Sequence, residues 1–143
     1  MTTNFFNLNE RYSLDAYKPA STVDDIIALH NYFSGIDIPQ EYIDFITQLA
    51  EVEILIFDES YVRIWSAIGC IEMNSAYNIQ KYIPGSIAIG DDEGGKVVFY
   101  ANGKEGFGLY KVGFGDLDIN SAEWISPSLV SFLIDGIGAD LFI

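Results

Sequence analysis

The stretch from Pro84 to Tyr100, PGSIAIGDDEGGKVVFY, sets two β-prone segments on either side of a short acidic, glycine-rich turn. Ser86–Ile89 and Lys96–Ala101 are rich in the β-branched and aromatic residues that suit a pleated surface. A link this short joins neighbouring strands only as an antiparallel hairpin, because a parallel crossover needs a dozen or more residues. Asn102-Gly103 is then a second turn pair, and Gly106–Val112 returns as the partner strand. Glu123–Ile125 adds a short edge strand. The second half of the chain is therefore a meander.

Upstream the period changes. Ser21 and Thr22 suit a helix N-cap, with Asp24 and Asp25 in the first turn. Val23, Ile26, Ile27, His30 and Phe33 fall on one helical face, and Gly35 ends the helix. Pro39 opens a second helix, with Tyr42, Phe45, Ile46 and Leu49 as its apolar stripe. Ile54–Phe57 suits a buried strand, and Val62, Ile64 and Trp65 suggest the next. Between Gly69 and Pro84 the pattern is helical again, through Ile71, Met73, Ala76, Tyr77 and Ile79. Ser126-Pro127 starts a last helix carrying Leu129, Val130, Phe132 and Leu133. Residues 1–20 read as an irregular arm packed by Phe5, Phe6 and Tyr12. The expected class is α+β: a mainly antiparallel sheet with helices on one side and at the ends. One domain spans residues 1–143, with its core at about 22–137.

Composition bounds the function. Of 143 residues, half are hydrophobic and 15% aromatic, which demands a packed core. No run of about 18 apolar residues occurs, so no membrane span is expected. The start, MTTNFFNLNE, has neither a basic segment nor an apolar one, and the expected compartment is the cytoplasm. Seven basic residues face twenty-one acidic ones, a net charge of -14. Such a surface repels nucleic acid and anionic lipid and steers basic proteins toward it. Acidity of this kind also keeps an apolar domain soluble.

Each candidate chemistry meets an obstacle. In Gly90–Gly95 a strand, not a helix, follows the glycines, and Asp91, Asp92 and Glu93 fill the turn, so a phosphate loop is disfavoured. Three consecutive acids do not match the alternating ligands of an EF-hand. A solvated hairpin, an acidic contact for a partner and a metal remain as readings of this turn. His30 is the single histidine, and its spacing predicts a packed residue. Cys70, the single cysteine, allows neither an internal disulfide nor a cysteine zinc site. It reads as a small apolar residue at the start of a helix. Glu51, Glu53, Asp58 and Glu59 cluster around one strand, which a solvated rim explains as well as a carboxylate pair does. No cofactor site and no catalytic set is expected.

Several segments taken together resemble the SUKH superfamily, the Smi/Knr-type proteins. Ile38–Ile46, IPQEYIDFI, is similar to its proline, acid-tyrosine, phenylalanine helix start. Asn74–Tyr77 with Tyr82–Gly85 resembles its mid-chain helix and turn, and Ile87–Gly95 its isoleucine-glycine-aspartate-aspartate signature. Phe99-Tyr100, Leu109–Val112 and Ser131–Leu133 fit the elements that follow, so the resemblance covers about 22–135. It departs at 47–53, TQLAEVE, where the family often carries an asparagine-glycine pair and this chain has no glycine. The resemblance implies a non-catalytic α+β domain, and bacterial members look like immunity proteins that neutralise toxins, many of them nucleases. The expectation is therefore an acidic module, monomer or weak homodimer, binding a basic toxin domain, with Asp91, Asp92 and Glu93 as its contacts. The alternative is a regulatory interaction module of the cell-wall-regulator type.

Overall fold

Residues 2–143 are described by the structure, a computed structural model. Met1, the first residue of the expected arm, lies outside them. Seven strands pair in chain order, each antiparallel to the next. They are β1 (Tyr12–Lys18), β2 (Ala50–Ile56), β3 (Ser60–Ile64), β4 (Ile87–Asp91), β5 (Lys96–Gly103), β6 (Gly106–Gly113) and β7 (Glu123–Ser126). Helices α1 (Val23–Tyr32) and α2 (Gln40–Ile46) lie between β1 and β2. Helices α3 (Ala67–Ala76) and α4 (Ile79–Tyr82) lie between β3 and β4, and α5 (Leu129–Leu133) follows β7. A 3-10 turn, Ala139–Phe142, closes the chain. The α+β class and the antiparallel sheet stand as the sequence pattern predicts.

The sheet has two characters. In β2 burial alternates: Val52, Ile54 and Ile56 face the core, while Glu51, Glu53 and Leu55 face outward. The outward face of this half is only partly buried and carries Glu51 and Glu53 beside Leu55, the usual pattern for an antiparallel sheet covered on one side. In β4 every residue is buried, and β5 and β6 are buried through their centres. The halves meet at a narrow seam. Strands β3 and β4 share two register pairs, Arg63↔Asp91 and Ile64↔Gly90, extended by Trp65 N donating to Ile89 O at 2.8 Å. At Gly90 an added Cβ would stand 2.1 Å from Arg63 O, so the seam closes only on glycine.

Helix α3 is tied to the same place through a polar core residue. Asn74 is fully buried. Its Nδ2 donates to Cys70 O at 2.7 Å and Ala88 O at 2.8 Å, and its Oδ1 accepts from Ala88 N at 3.1 Å and Gln80 Nε2 at 2.9 Å. All four hydrogen-bonding positions of the amide are filled, the condition under which burying it is tolerable.

Several expectations are corrected. Residues 12–18 are not an irregular arm but β1. Of that strand Tyr12 alone is buried, and two register shifts break its pairing with β2, so no alternation marks it in sequence. Phe5 is buried as expected, but Phe6 is exposed and meets Tyr17 edge-on at 5.6 Å. Helix α1 packs through Leu29 and Phe33, with Ile26 partly covered. Val23, Ile27 and His30 are exposed, so the histidine is not packed. Pro39 occupies the N-cap position of α2 and is not its first residue. The helical stretch between Gly69 and Pro84 is broken at Asn78, φ +51; of its expected apolar positions Ile79 is buried, Ile71 and Met73 are partly so, and Ala76 and Tyr77 are exposed, while Cys70, Asn74 and Ile83 are also buried. Asn102-Gly103 lies inside β5, and the turn is Lys104-Glu105, because Gly103 still pairs with Gly106. Ser126 ends β7, and Ser128 caps α5 by accepting from Ser131 N.

Gly90→Ala is expected to cost about 2 kcal/mol or more, since backbone must give way at the seam. A urea midpoint unchanged from that of the parent would contradict this.

Candidate functional site

The outward face of β1–β4 carries a row of side chains set by register. Ala16, Glu53, Arg63 and Asp91 stand directly opposite one another on successive strands. Arg63 Nη2 donates to Glu53 Oε1 at 3.1 Å and to Glu93 Oε1 at 3.3 Å. One guanidinium thus holds two carboxylates. Burial pulls the Arg63 pKa down, and the carboxylates of Glu53, Glu93 and Asp91 more than reverse this, leaving it raised. Glu93 moves above its ordinary value of 4.5: burial is the main cause, Arg63 opposes it, and Glu53 and Asp91 add to it. Two acids sharing one base explain the direction.

The three acids of the turn have three different roles. Asp91 is 8% exposed. Its Oδ2 accepts from Trp65 Nε1 at 2.8 Å and its Oδ1 from Glu93 N at 2.9 Å, so it locks the seam to the turn. Asp92 Oδ1 accepts from Gly94 N at 2.8 Å and Lys96 N at 2.9 Å, shaping the hairpin. Of the three, Glu93 is the one that pairs with a cation, reaching Arg63 from a left-handed backbone at φ +58.

From Arg63 a groove runs along the end of β2 toward the start of α3. It consists of two depressions, about 330 and 240 Å³, that share Lys18 and Glu51. The first is lined by Lys18, Glu51, Glu53 and Arg63, and the second extends to Asp25, Ser66 and Glu72. Four carboxylates therefore stand against two cations. Glu51 sits at the middle with φ +44, a conformation uncommon without glycine. Its Oε1 accepts from Ser66 Oγ at 3.1 Å, and Ser66 Oγ accepts from Gly69 N at 3.0 Å. Helix α3 has no acid in its own first turn, so Glu51 supplies the negative charge that its N-terminus favours. Gly69 leaves the room: a Cβ there would lie 2.3 Å from Glu51 Oε1.

Sequence reasoning singled out Glu51 and Glu53, and both line the groove. Asp58 and Glu59, grouped with them, lie at the β2–β3 turn. Lys18, Asp25, Arg63 and Glu72 were not singled out. The alternation of AEVEILI could have placed Glu51 and Glu53 on one face, but no sequence period joins Asp25 and Glu72 to them. Among the described residues, no group of three or more His, Cys, Asp or Glu side chains is placed to hold a metal ion. No helix among them is long and apolar enough to cross a membrane. Cys70 is buried, its thiol meets Ala88 O at 3.2 Å, and burial pushes its pKa up to about 12.

No protein-family model matches the chain, and no curated protein matches it in sequence. The segments that resemble the SUKH pattern occupy structural positions. Glu41 accepts from Leu129 N at 2.6 Å, Val130 N at 3.1 Å and Tyr100 Oη at 2.6 Å, joining α2, α5 and β5. Tyr42 Oη donates to Trp65 O at 2.8 Å, and Phe45 is fully buried. In the divergent 47–53 segment Glu51 takes the positive φ that glycine adopts freely.

Asp91→Ala is expected to cost about 2 kcal/mol, because the Trp65 and Glu93 donors lose their acceptor, whereas Asp92→Ala costs under about 1 kcal/mol at a solvated turn. Equal urea midpoints for the two variants would refute the division. The pH dependence of Glu93 follows from its sign. A carboxyl raised in the folded state contributes stability below its unfolded pKa and loses it as pH rises through the folded value. Glu93→Gln should therefore match the parent in stability below the ordinary carboxylate range and exceed it at neutral pH. Denaturation curves across that range check this.

Proposed function

We propose that the chain is a non-catalytic protein-binding module whose acid-lined groove docks a basic protein, and that it serves as an immunity protein neutralising a toxin. The observation that carries this reading is the groove itself, in which Glu51 and Glu53 on the outward face of β2 are joined by Asp25 of α1 and Glu72 of α3. Glu93 extends the same charge past Arg63. A nuclease carries cations that bind substrate phosphates, and carboxylates fixed on a rigid sheet can occupy those places. The Arg63 ion pairs suit exchange: an incoming guanidinium can take Glu93 or Glu53 while Arg63 keeps the other. The resemblance to the SUKH superfamily supports the immunity role, and the net charge of -14 supports the sign of the partner.

The decisive experiment pairs the protein with the product of the neighbouring gene. A toxic product that binds this chain tightly, and whose toxicity is relieved by co-expression, is the expected result. An isolated gene, or many endogenous partners with no protection, would favour the regulatory module instead. Within such a complex, Glu53→Lys with Glu93→Lys should slow association about tenfold or more at low salt, with the effect shrinking at high salt. Reversal at Asp58 and Glu59 should change it far less. Unchanged kinetics in the groove variant would move the contact to another surface.

A further inference from the structure

A second concavity, about 380 Å³, lies between the α3–α4 junction and the loop after β6. Its walls are aromatic. Tyr77 and Phe114 meet with ring centroids 4.3 Å apart at 37°, and Tyr82 and Leu117 complete the lining. Tyr77 is 40% exposed and Tyr82 52%, so these rings face solvent and are not part of the core. The junction is fixed: Asn78 holds a left-handed φ of +51 between the helices, and Asn78 N donates to Ser75 O at 3.2 Å.

Tyr77, Tyr82 and Phe114 line one opening, and an aromatic ring attracts a cation because its face is the negative end of a quadrupole. One of these rings already makes such a contact, with Lys81 Nζ 5.4 Å from the centroid of Tyr82. Lys81 does not line the cavity. The adjoining loop carries Asp116 and Asp118, both exposed, and neither enters an ion pair among the described residues. The charge of the whole chain, -14, has the same sign. Guanidinium fits better than ammonium, since it is planar, weakly hydrated and stacks on rings.

We propose that this aromatic cavity receives an arginine side chain of the protein partner, with Asp116 at its rim as counter-charge. The proposal rests on the reading that the partner is basic, and it adds a second contact surface to the groove.

The test uses N-acetyl-arginine amide as the probe, titrated into the full chain and followed by NMR, with N-acetyl-norleucine amide as the apolar comparison. Saturable shifts at Tyr77, Tyr82 and Phe114, with dissociation constants on the order of millimolar, are expected for the arginine probe and not for norleucine. Tyr82→Leu, at an exposed position, should weaken the arginine response about threefold or more while leaving the fold intact. An equal response to norleucine, insensitivity to Tyr82→Leu, or no shift at these rings would overturn the proposal. Shifts confined to Glu51, Glu53 and Arg63 would also overturn it, while leaving the acidic groove as a docking site. The two readings can therefore fail separately.

Discussion

Everything in this fold converges on the place where β3 meets β4. A meander of hairpins holds its strands by short connections, but here α3 and α4 intervene, and only two register pairs bridge the gap. So few ladder pairs would leave a sheet free to hinge. Side chains supply what the ladder lacks. Asp91 accepts from the Trp65 indole across the seam, and Asn74 ties α3 to both backbone groups of Ala88. These bonds lie in low dielectric, where a filled polar network rigidifies and an open one is costly. Close approach at Gly90 then brings Arg63, Asp91 and Glu93 into one cluster. The seam that joins the halves also positions the candidate site.

The acid excess is not one uniform coat. Glu41 caps α5 from α2, Glu51 serves the start of α3 from β2, and Asp91 and Asp92 bind backbone amides or an indole. Each satisfies donors that a helix end or a tight turn leaves open. Glu41, Asp91 and Asp92 are thereby committed within the molecule, while Glu51 also lines the groove. Glu53 and Glu93 differ, because their one cation is shared and their side chains remain partly exposed. Counting acids overstates the charge available to a partner, and tracing each carboxylate to its donor separates the two kinds.

Legibility followed the same physics. Helix α2 was readable because proline fixes its start and Tyr42, Phe45 and Ile46 hold a clean period, and all three are buried. The β4–β5 hairpin was readable from its glycine-acid turn. Strand β1 was not, since an edge strand with Tyr12 alone buried carries no alternation. In α1 two stripes competed, and contact with α3 selected Leu29 over Val23 and Ile27, which sequence cannot weigh. Asn74 was invisible as a core residue because hydrophobic periodicity does not register a satisfied amide. In the site, residues 91–93 read as one acidic unit, yet pleat and hydrogen bonding divide them. The groove joins residues from β1, α1, β2, β3 and α3, and tertiary folding alone brings these together.

The two cations inside the acidic groove bear on selectivity. A surface of carboxylates alone would attract any polycation, since long-range steering is indifferent to shape. Lys18 and Arg63 lower that attraction, and Arg63 holds Glu53 and Glu93 in a patterned field beside Lys18 and Glu51. A partner gains only where its cations meet the carboxylates and its own carbonyls or acids meet Lys18 and Arg63. A mispaired partner sets cation against cation and leaves groups desolvated without partners, which costs more than the contact returns. The same arrangement fixes the side chains before binding, so less conformational entropy is lost on association. Affinity drawn from charge alone fades with salt, whereas matched and partly buried pairs fade less. If the groove docks a basic protein, as proposed, this pattern favours one complementary partner over basic proteins at large.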